Sequence, residues 1–126
     1  YENMLKANER DIQLLGVGEN GHIAFNEPGT SFDSETHVIE LTPSTREANA
    51  RYFASLDEVP THAVTMGIAS ILHAKEIILI ACGENKRDAM QALVEGDVTV
   101  EVPVSVLNNH PNVVIYTDLQ LKVAVK

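Results

Sequence analysis

Lys75-Glu76-Ile77-Ile78-Leu79-Ile80-Ala81-Cys82 is the stretch on which the fold turns. Its run of Ile and Leu without polar alternation reads as a strand buried on both faces, the habit of a parallel sheet. Gly83 ends it. Glu84 to Glu95 follows as an amphipathic helix with Ala89, Ala92 and Leu93 on one side, and Gly96 stops it. Downstream, Pro103 to Asn109 reads as about one helical turn, Asn112 to Asp118 as a last strand and Leu119 to Val125 as a last helical segment. Upstream, Tyr1 to Asn8 reads as the end of a helix and Asp11 to Val17 as a short apolar strand. Thr36 to Leu41 alternates like a strand. Thr42-Pro43 then starts a helix, with Thr42 as cap and Pro43 at the first helical position, running to about Phe53. Ser44-x-x-Glu47 is a second capping pattern there. His62 to Ala74 reads as an extended piece followed by a helix. This order predicts an α/β, Rossmann-like three-layer fold with a mainly parallel sheet. Ligands in such folds sit beyond the carboxyl ends of strands, where the loops after Leu15 and Cys82 fall.

Composition narrows the class. The 126 residues are 44% apolar and 21% charged, which excludes a disordered chain and a coiled coil. The longest apolar run, Ile77 to Cys82, is strand-sized, so a membrane helix is not expected. The net charge of −9 argues against a nucleic-acid partner, since phosphate backbones require a basic surface. An acidic body still holds a small phosphate when a few cations converge in one pocket. The single cysteine, Cys82, excludes an internal disulfide and sits in an apolar run, so it is expected in the core of a cytoplasmic protein with reduced thiols. The chain opens on Tyr1 instead of Met, which suggests a piece of something longer.

Chemistry concentrates between Gly16 and Gly29 (GVGENGHIAFNEPG). Glycines 16, 18 and 21 match G-x-G-x-x-G, but Pro28 interrupts any helix and Glu40 is a loose match for the acidic partner, so a dinucleotide site is not expected. The stretch does offer His22, with Asn20 two residues before and Glu27 five residues after. Histidine trades protons near neutrality, and a carboxylate on its other nitrogen would fix the tautomer and stabilise the imidazolium. A loop held by glycine turns, with a His–Glu contact of no catalytic meaning, would show the same residues.

Cations form a second group. Arg46 and Arg51 lie five apart on the predicted helix, and Tyr52 and Phe53 suggest a partly buried setting for Arg51. Lys86 and Arg87 open the helix after Gly83, where a cation opposes the helix dipole unless an anion is bound. Solvated surface charges are the plain alternative. His37, His62, His73 and His110 show no metal-ligand spacing.

Four blocks together, GVGENGHIAFNEPGTSF, LTPSTREANARYF, VPTHAVTMGIASIL and ILIACGENKRDAMQALVEG, closely resemble the glucosamine-6-phosphate deaminase family from about Asp11 to Asp118. The sibling 6-phosphogluconolactonases share the start of the first block, but IAFNEPG is the deaminase continuation. The resemblance implies conversion of glucosamine 6-phosphate and water to fructose 6-phosphate and ammonia, with a small sugar phosphate as partner and no metal or redox cofactor. It assigns His22 to ring opening, Glu27 and Asn20 to its relay, and Arg51 and Lys86 to the 6-phosphate. Many members have Asp where Asn20 stands. The allosteric branch has cations where His37 and Ile39 stand, which implies an activity curve that its activator, N-acetylglucosamine 6-phosphate, does not shift. Residues 1–126 match only the carboxyl-terminal part of the family's single domain. The absent half carries the aspartate that takes the C2 proton and a Ser/Gly-rich loop at the phosphate, so the chain alone is expected to be inactive. A lactonase-like hydrolase and a non-catalytic sugar-phosphate-binding fragment are the alternatives.

Overall fold

The computed structural model describes residues 1–121. In chain order its elements are α1 (Glu2–Ala7), β1 (Ile12–Leu15), β2 (His37–Glu40), α2 (Pro43–Asn49), β3 (His62–Thr65), α3 (Ile68–Leu72), β4 (Glu76–Ala81), α4 (Arg87–Glu95) and β5 (Val113–Thr117). Short 3-10 turns at Ala50–Tyr52, Leu56–Glu58 and Glu84–Lys86, and a longer one at Pro103–Asn109, join them. The expected segment from Leu119 carries no helix through Leu121, and its remainder lies outside the described residues.

β4 is the middle strand of a parallel sheet ordered β1-β4-β5, with Leu15 beside Leu79 and Ile115 on the other side of Leu79. This is the expected α/β arrangement with a parallel sheet. β2 and β3 pair antiparallel in a separate hairpin, inserted between β1 and α3.

The expectation that β4 is buried on both faces is corrected. Ile77, Leu79 and Ala81 are buried, whereas Ile80 is 47% exposed. The buried face packs against Ile68 and Ile71 of α3, Met90 and Leu93 of α4, and Val104 and Val106 of the 103–109 turn. On the opposite face Ile12, Leu14, Ile80, Val114 and Tyr116 stand exposed. The same alternation corrects the placing of Cys82 in the core. Ala81 points inward, so Cys82 at the carboxyl end of β4 is exposed.

Local chemistry sets most boundaries. The Thr42 side chain accepts a hydrogen bond from Thr45 N at 3.2 Å, with Pro43 at the first helical position. Ser44 and Glu47 do not form the second capping pattern; the Ser44 hydroxyl meets that of Thr42 at 3.1 Å. Gly96 closes α4 in the left-handed conformation, φ 88°. Among the described residues no helix is long and apolar enough to cross a membrane.

Glu2 ties three elements together. Its carboxylate accepts hydrogen bonds from Thr36 N, the Thr36 hydroxyl and, at 2.5 Å, the Ser70 hydroxyl of α3. These bonds, the one from Ser70 first, hold its pKa down to about 2. A carboxyl group depressed on folding stabilises the protein above its ordinary pKa of 4.5, and that contribution is lost as pH falls toward about 2. Glu2→Gln is therefore expected to flatten the fall in melting temperature across this window. An unchanged slope in circular-dichroism melts would show that Glu2 does not drive it.

Candidate active site

β1 and β4 run parallel, so their carboxyl ends open on the same side of the sheet. The loops that leave them, with α2, enclose an open cavity of about 670 Å³. Asn20, His22 and Glu27 line it from the first loop, Asn85 and Lys86 from the second, and Ser44 from α2.

The first loop is fixed from beneath. Gly18 N donates to His22 O at 2.8 Å and Gly21 N to Gly18 O at 2.9 Å. A Cβ on Gly18 would run into the His22 imidazole, so only glycine lets the ring lie there. Ile23 to Asn26 forms a tight turn, closed by Asn26 N to Ile23 O at 3.0 Å, with Ala24 at φ 51°. The fully buried Asn26 amide donates to Ile23 O at 3.0 Å and to Met66 O at 2.9 Å. Phe25 N donates to the Thr65 hydroxyl at 3.2 Å, so the turn is pinned to the end of β3.

The turn brings His22 and Glu27 to Asn20. Asn20 Nδ2 donates to Glu27 Oε2 at 2.7 Å, and Asn20 Oδ1 meets His22 Nδ1 at 2.9 Å. Oδ1 also accepts from His22 N at 3.1 Å. Donor and acceptor counting assigns the tautomer. An ionised carboxylate only accepts, so the Asn20 NH₂ faces Glu27 and its carbonyl faces the ring. Nδ1 must then carry the proton, and Nε2 keeps its lone pair. Glu27 Oε2 lies 3.7 Å from Nδ1, beyond direct hydrogen-bond reach, so the contact between them runs through Asn20. The Asn20 amide therefore bridges the imidazole and the Glu27 carboxylate.

Lys86, expected from the sequence as a phosphate cation, lies beside the cavity. It is the N-terminal cap of α4 and lines the cavity; its backbone N donates to Gly83 O at 3.1 Å, and its ammonium has no hydrogen-bond or ion-pair partner among the described residues. Arg87 turns elsewhere, with two 2.7 Å bonds to Glu84 and one of 2.8 Å to Gln120 O. Arg46 is structural: it donates to Leu56 O at 3.2 Å and Val59 O at 3.0 Å. Arg51 departs from expectation. It is exposed, not partly buried, and its guanidinium lies 4.9 Å from the centre of the Tyr52 ring, outside the cavity wall. The 3-10 turn that carries it buries no residue, so nothing draws the side chain inward.

Sequence reasoning passed over Glu19, Asn85, Ser44 and Thr45, all of which line the cavity. Their signal was adjacency, since Glu19 precedes Asn20 and Asn85 precedes Lys86. Among the described residues no group of three or more His, Cys, Asp or Glu side chains is placed to hold a metal ion.

A parallel-sheet α/β protein with a polar cavity at its strand ends, a tautomer-fixed histidine and an uncommitted lysine is the class these features define. Within it the chain belongs to the family of glucosamine-6-phosphate isomerases and 6-phosphogluconolactonases, which residues 1–116 match. It is 57% identical over 122 residues to a glucosamine-6-phosphate deaminase of Lysinibacillus sphaericus, covering 97% of this chain and 55% of that protein. It is 58% identical over 118 residues to one of Lactobacillus delbrueckii subsp. bulgaricus, covering 94% and 50%. A solved monomeric glucosamine-6-phosphate deaminase superposes with a TM-score of 0.87 at 50% identity, covering 93% and 49%. The 6-phosphogluconolactonase of Trypanosoma brucei, 20% identical with a TM-score of 0.64 over 93% and 48%, shares the fold. The chain thus spans about half the length of these relatives.

Proposed function

We propose that the chain carries the ring-opening and phosphate-holding part of a cytoplasmic glucosamine-6-phosphate deaminase, acting on glucosamine 6-phosphate and water to give fructose 6-phosphate and ammonia. The observation that supports this most is the chain from Glu27 through Asn20 to His22, which leaves Nε2 free in the cavity that Lys86 also lines. Nε2 accepts the anomeric hydroxyl proton and returns it to the ring oxygen, which opens the ring. The Asn20 carbonyl holds the ring orientation, and Glu27 lowers the cost of the transient imidazolium. Lys86 pairs with the 6-phosphate. Arg51 joins it when its side chain leaves Tyr52, one 3-10 turn beyond the cavity wall at Ala48. The C2 proton is taken by a base in the remaining part of the longer protein, and the aldose–ketose shift then releases ammonia.

The test has two arms. Alone, the chain is expected to gain thermal stability with glucosamine 6-phosphate and to release little ammonia. Lys86→Ala should weaken binding about tenfold or more, the scale of a lost charged hydrogen bond. Fused behind the amino-terminal half of the Lysinibacillus relative, the chain should release ammonia from glucosamine 6-phosphate and leave 6-phosphogluconolactone intact. Substantial ammonia release by the chain alone would refute the two-part reading. A fusion that binds the sugar phosphate without turnover would refute the deaminase reading.

A further inference from the structure

Two carboxylates line a cavity proposed to hold a phosphate dianion, and each opposes that ligand unless it has another task. Glu27 is committed to Asn20. Glu19 is committed to the second loop: its Oε1 accepts from Asn85 Nδ2 at 3.0 Å, joining the loop after β1 to the turn after β4. That turn is tied on its other sides as well. Gly83 N donates to Asp118 Oδ1 at 3.0 Å, at the end of β5. Arg87 pairs with Glu84 and reaches Gln120 O. Gly83 is at φ 99°, and a Cβ there would sit 3.0 Å from Asn85 Oδ1, so the amide folds back over the turn. Lys86 stands between these bonded neighbours, and its ammonium has no partner among the described residues. The Glu19–Asn85 bond is the tie on the cavity side.

We propose that Glu19 and Asn85 form a latch that positions Lys86 for the phosphate, so that both are positioning residues for the ligand. The proposal rests on the reading of Lys86 as the phosphate cation. The latch bridges the loop of the relay and the turn of the cation, and so fixes the span between the ring-opening histidine and the phosphate end. Glu19 acts through the acceptor oxygen it offers Asn85; its negative charge works against the dianion.

These two contributions separate by substitution. Calorimetric binding of glucosamine 6-phosphate at pH 7 is compared for the chain and for Glu19→Gln, Glu19→Ala, Asn85→Ala, Glu19→Ala with Asn85→Ala, and Lys86→Ala. Gln keeps an acceptor carbonyl and removes the charge, so its affinity should equal or exceed that of the unaltered chain. Glu19→Ala and Asn85→Ala should each bind about three- to fivefold more weakly than Glu19→Gln, the scale of one net hydrogen bond. The double substitution should be no weaker than either single one. Melting temperatures should not move, because both side chains are exposed. Equal affinities for Glu19→Ala and Glu19→Gln, or additive losses in the double substitution, would overturn the latch. Unchanged binding in Lys86→Ala, or no binding by the unaltered chain, would overturn the phosphate site and the latch with it.

Discussion

In the fusion with the amino-terminal half of the Lysinibacillus relative, His22→Gln is expected to lower kcat for ammonia release about 10²- to 10⁴-fold, the usual worth of a positioned acid–base group. The melting temperature should hardly change, since the ring stands in an open cavity and the loop is held by backbone and Asn26 bonds. Glutamine preserves polarity and approximate reach but does not exchange a proton near neutrality. KM should move less than kcat, because the proposed phosphate cation, Lys86, is untouched. Gly18→Ala should produce a partial version of the same defect. Its Cβ would occupy the place of the imidazole and turn Nε2 away without removing it. If His22→Gln keeps more than about a tenth of kcat, the proton relay is not the ring-opening device.

How far the sequence carried depended on the distance over which each feature is decided. Thr42-Pro43 and Gly96 were legible because capping needs only a few neighbouring residues. The hydrogen-bonded grouping of Asn20, His22 and Glu27 was legible because all three come from one short loop. The sidedness of β4 was not. A run of Ile and Leu shows a strand, but whether Ile80 is covered depends on what packs against the second face. Cys82 failed for the same reason, since an apolar run does not say which way its last residue points. Arg51 sits beside two aromatic residues, which suggested burial. The turn instead places Tyr52 at the surface and stacks the guanidinium on it. The pairing of β2 with β3 in a hairpin apart from the main sheet was hidden because the 20 or so residues between them carry a helix and two turns of their own. The Glu19–Asn85 bond spans 66 positions and no local pattern announces it.

Gly67→Ala is expected to cost about 3 kcal/mol, at the upper end for an overpacked site. For a chain of this size that is a fall of roughly 10 °C in melting temperature. The cause is steric and not conformational: Gly67 has φ −73° and ψ 167°, which any residue adopts. A Cβ there would overlap the carbonyl of Ser34 and the oxygen of Glu35, which are backbone atoms without a rotamer to yield. That backbone also caps α3. Gly67 has no side chain to offer at the N-terminal cap, so the caps come from Ser34, whose hydroxyl accepts from Ile68 N at 2.9 Å and whose carbonyl accepts from Ala69 N at 2.9 Å. Moving Ser34 aside would orphan both donors at the start of a helix whose Ile68 and Ile71 are core residues. The strain would also reach the site. Met66, next in the chain, receives the Asn26 amide that pins the relay turn, so a chain that still folds should bind glucosamine 6-phosphate less well. Gly16→Ala is the control, since its Cβ meets nothing within 4 Å and should leave the melting temperature within about 2 °C, as for a neutral surface change. Equal melting temperatures for the two substitutions would show that the 34–35 segment yields, and that α3 is not capped from so far along the chain.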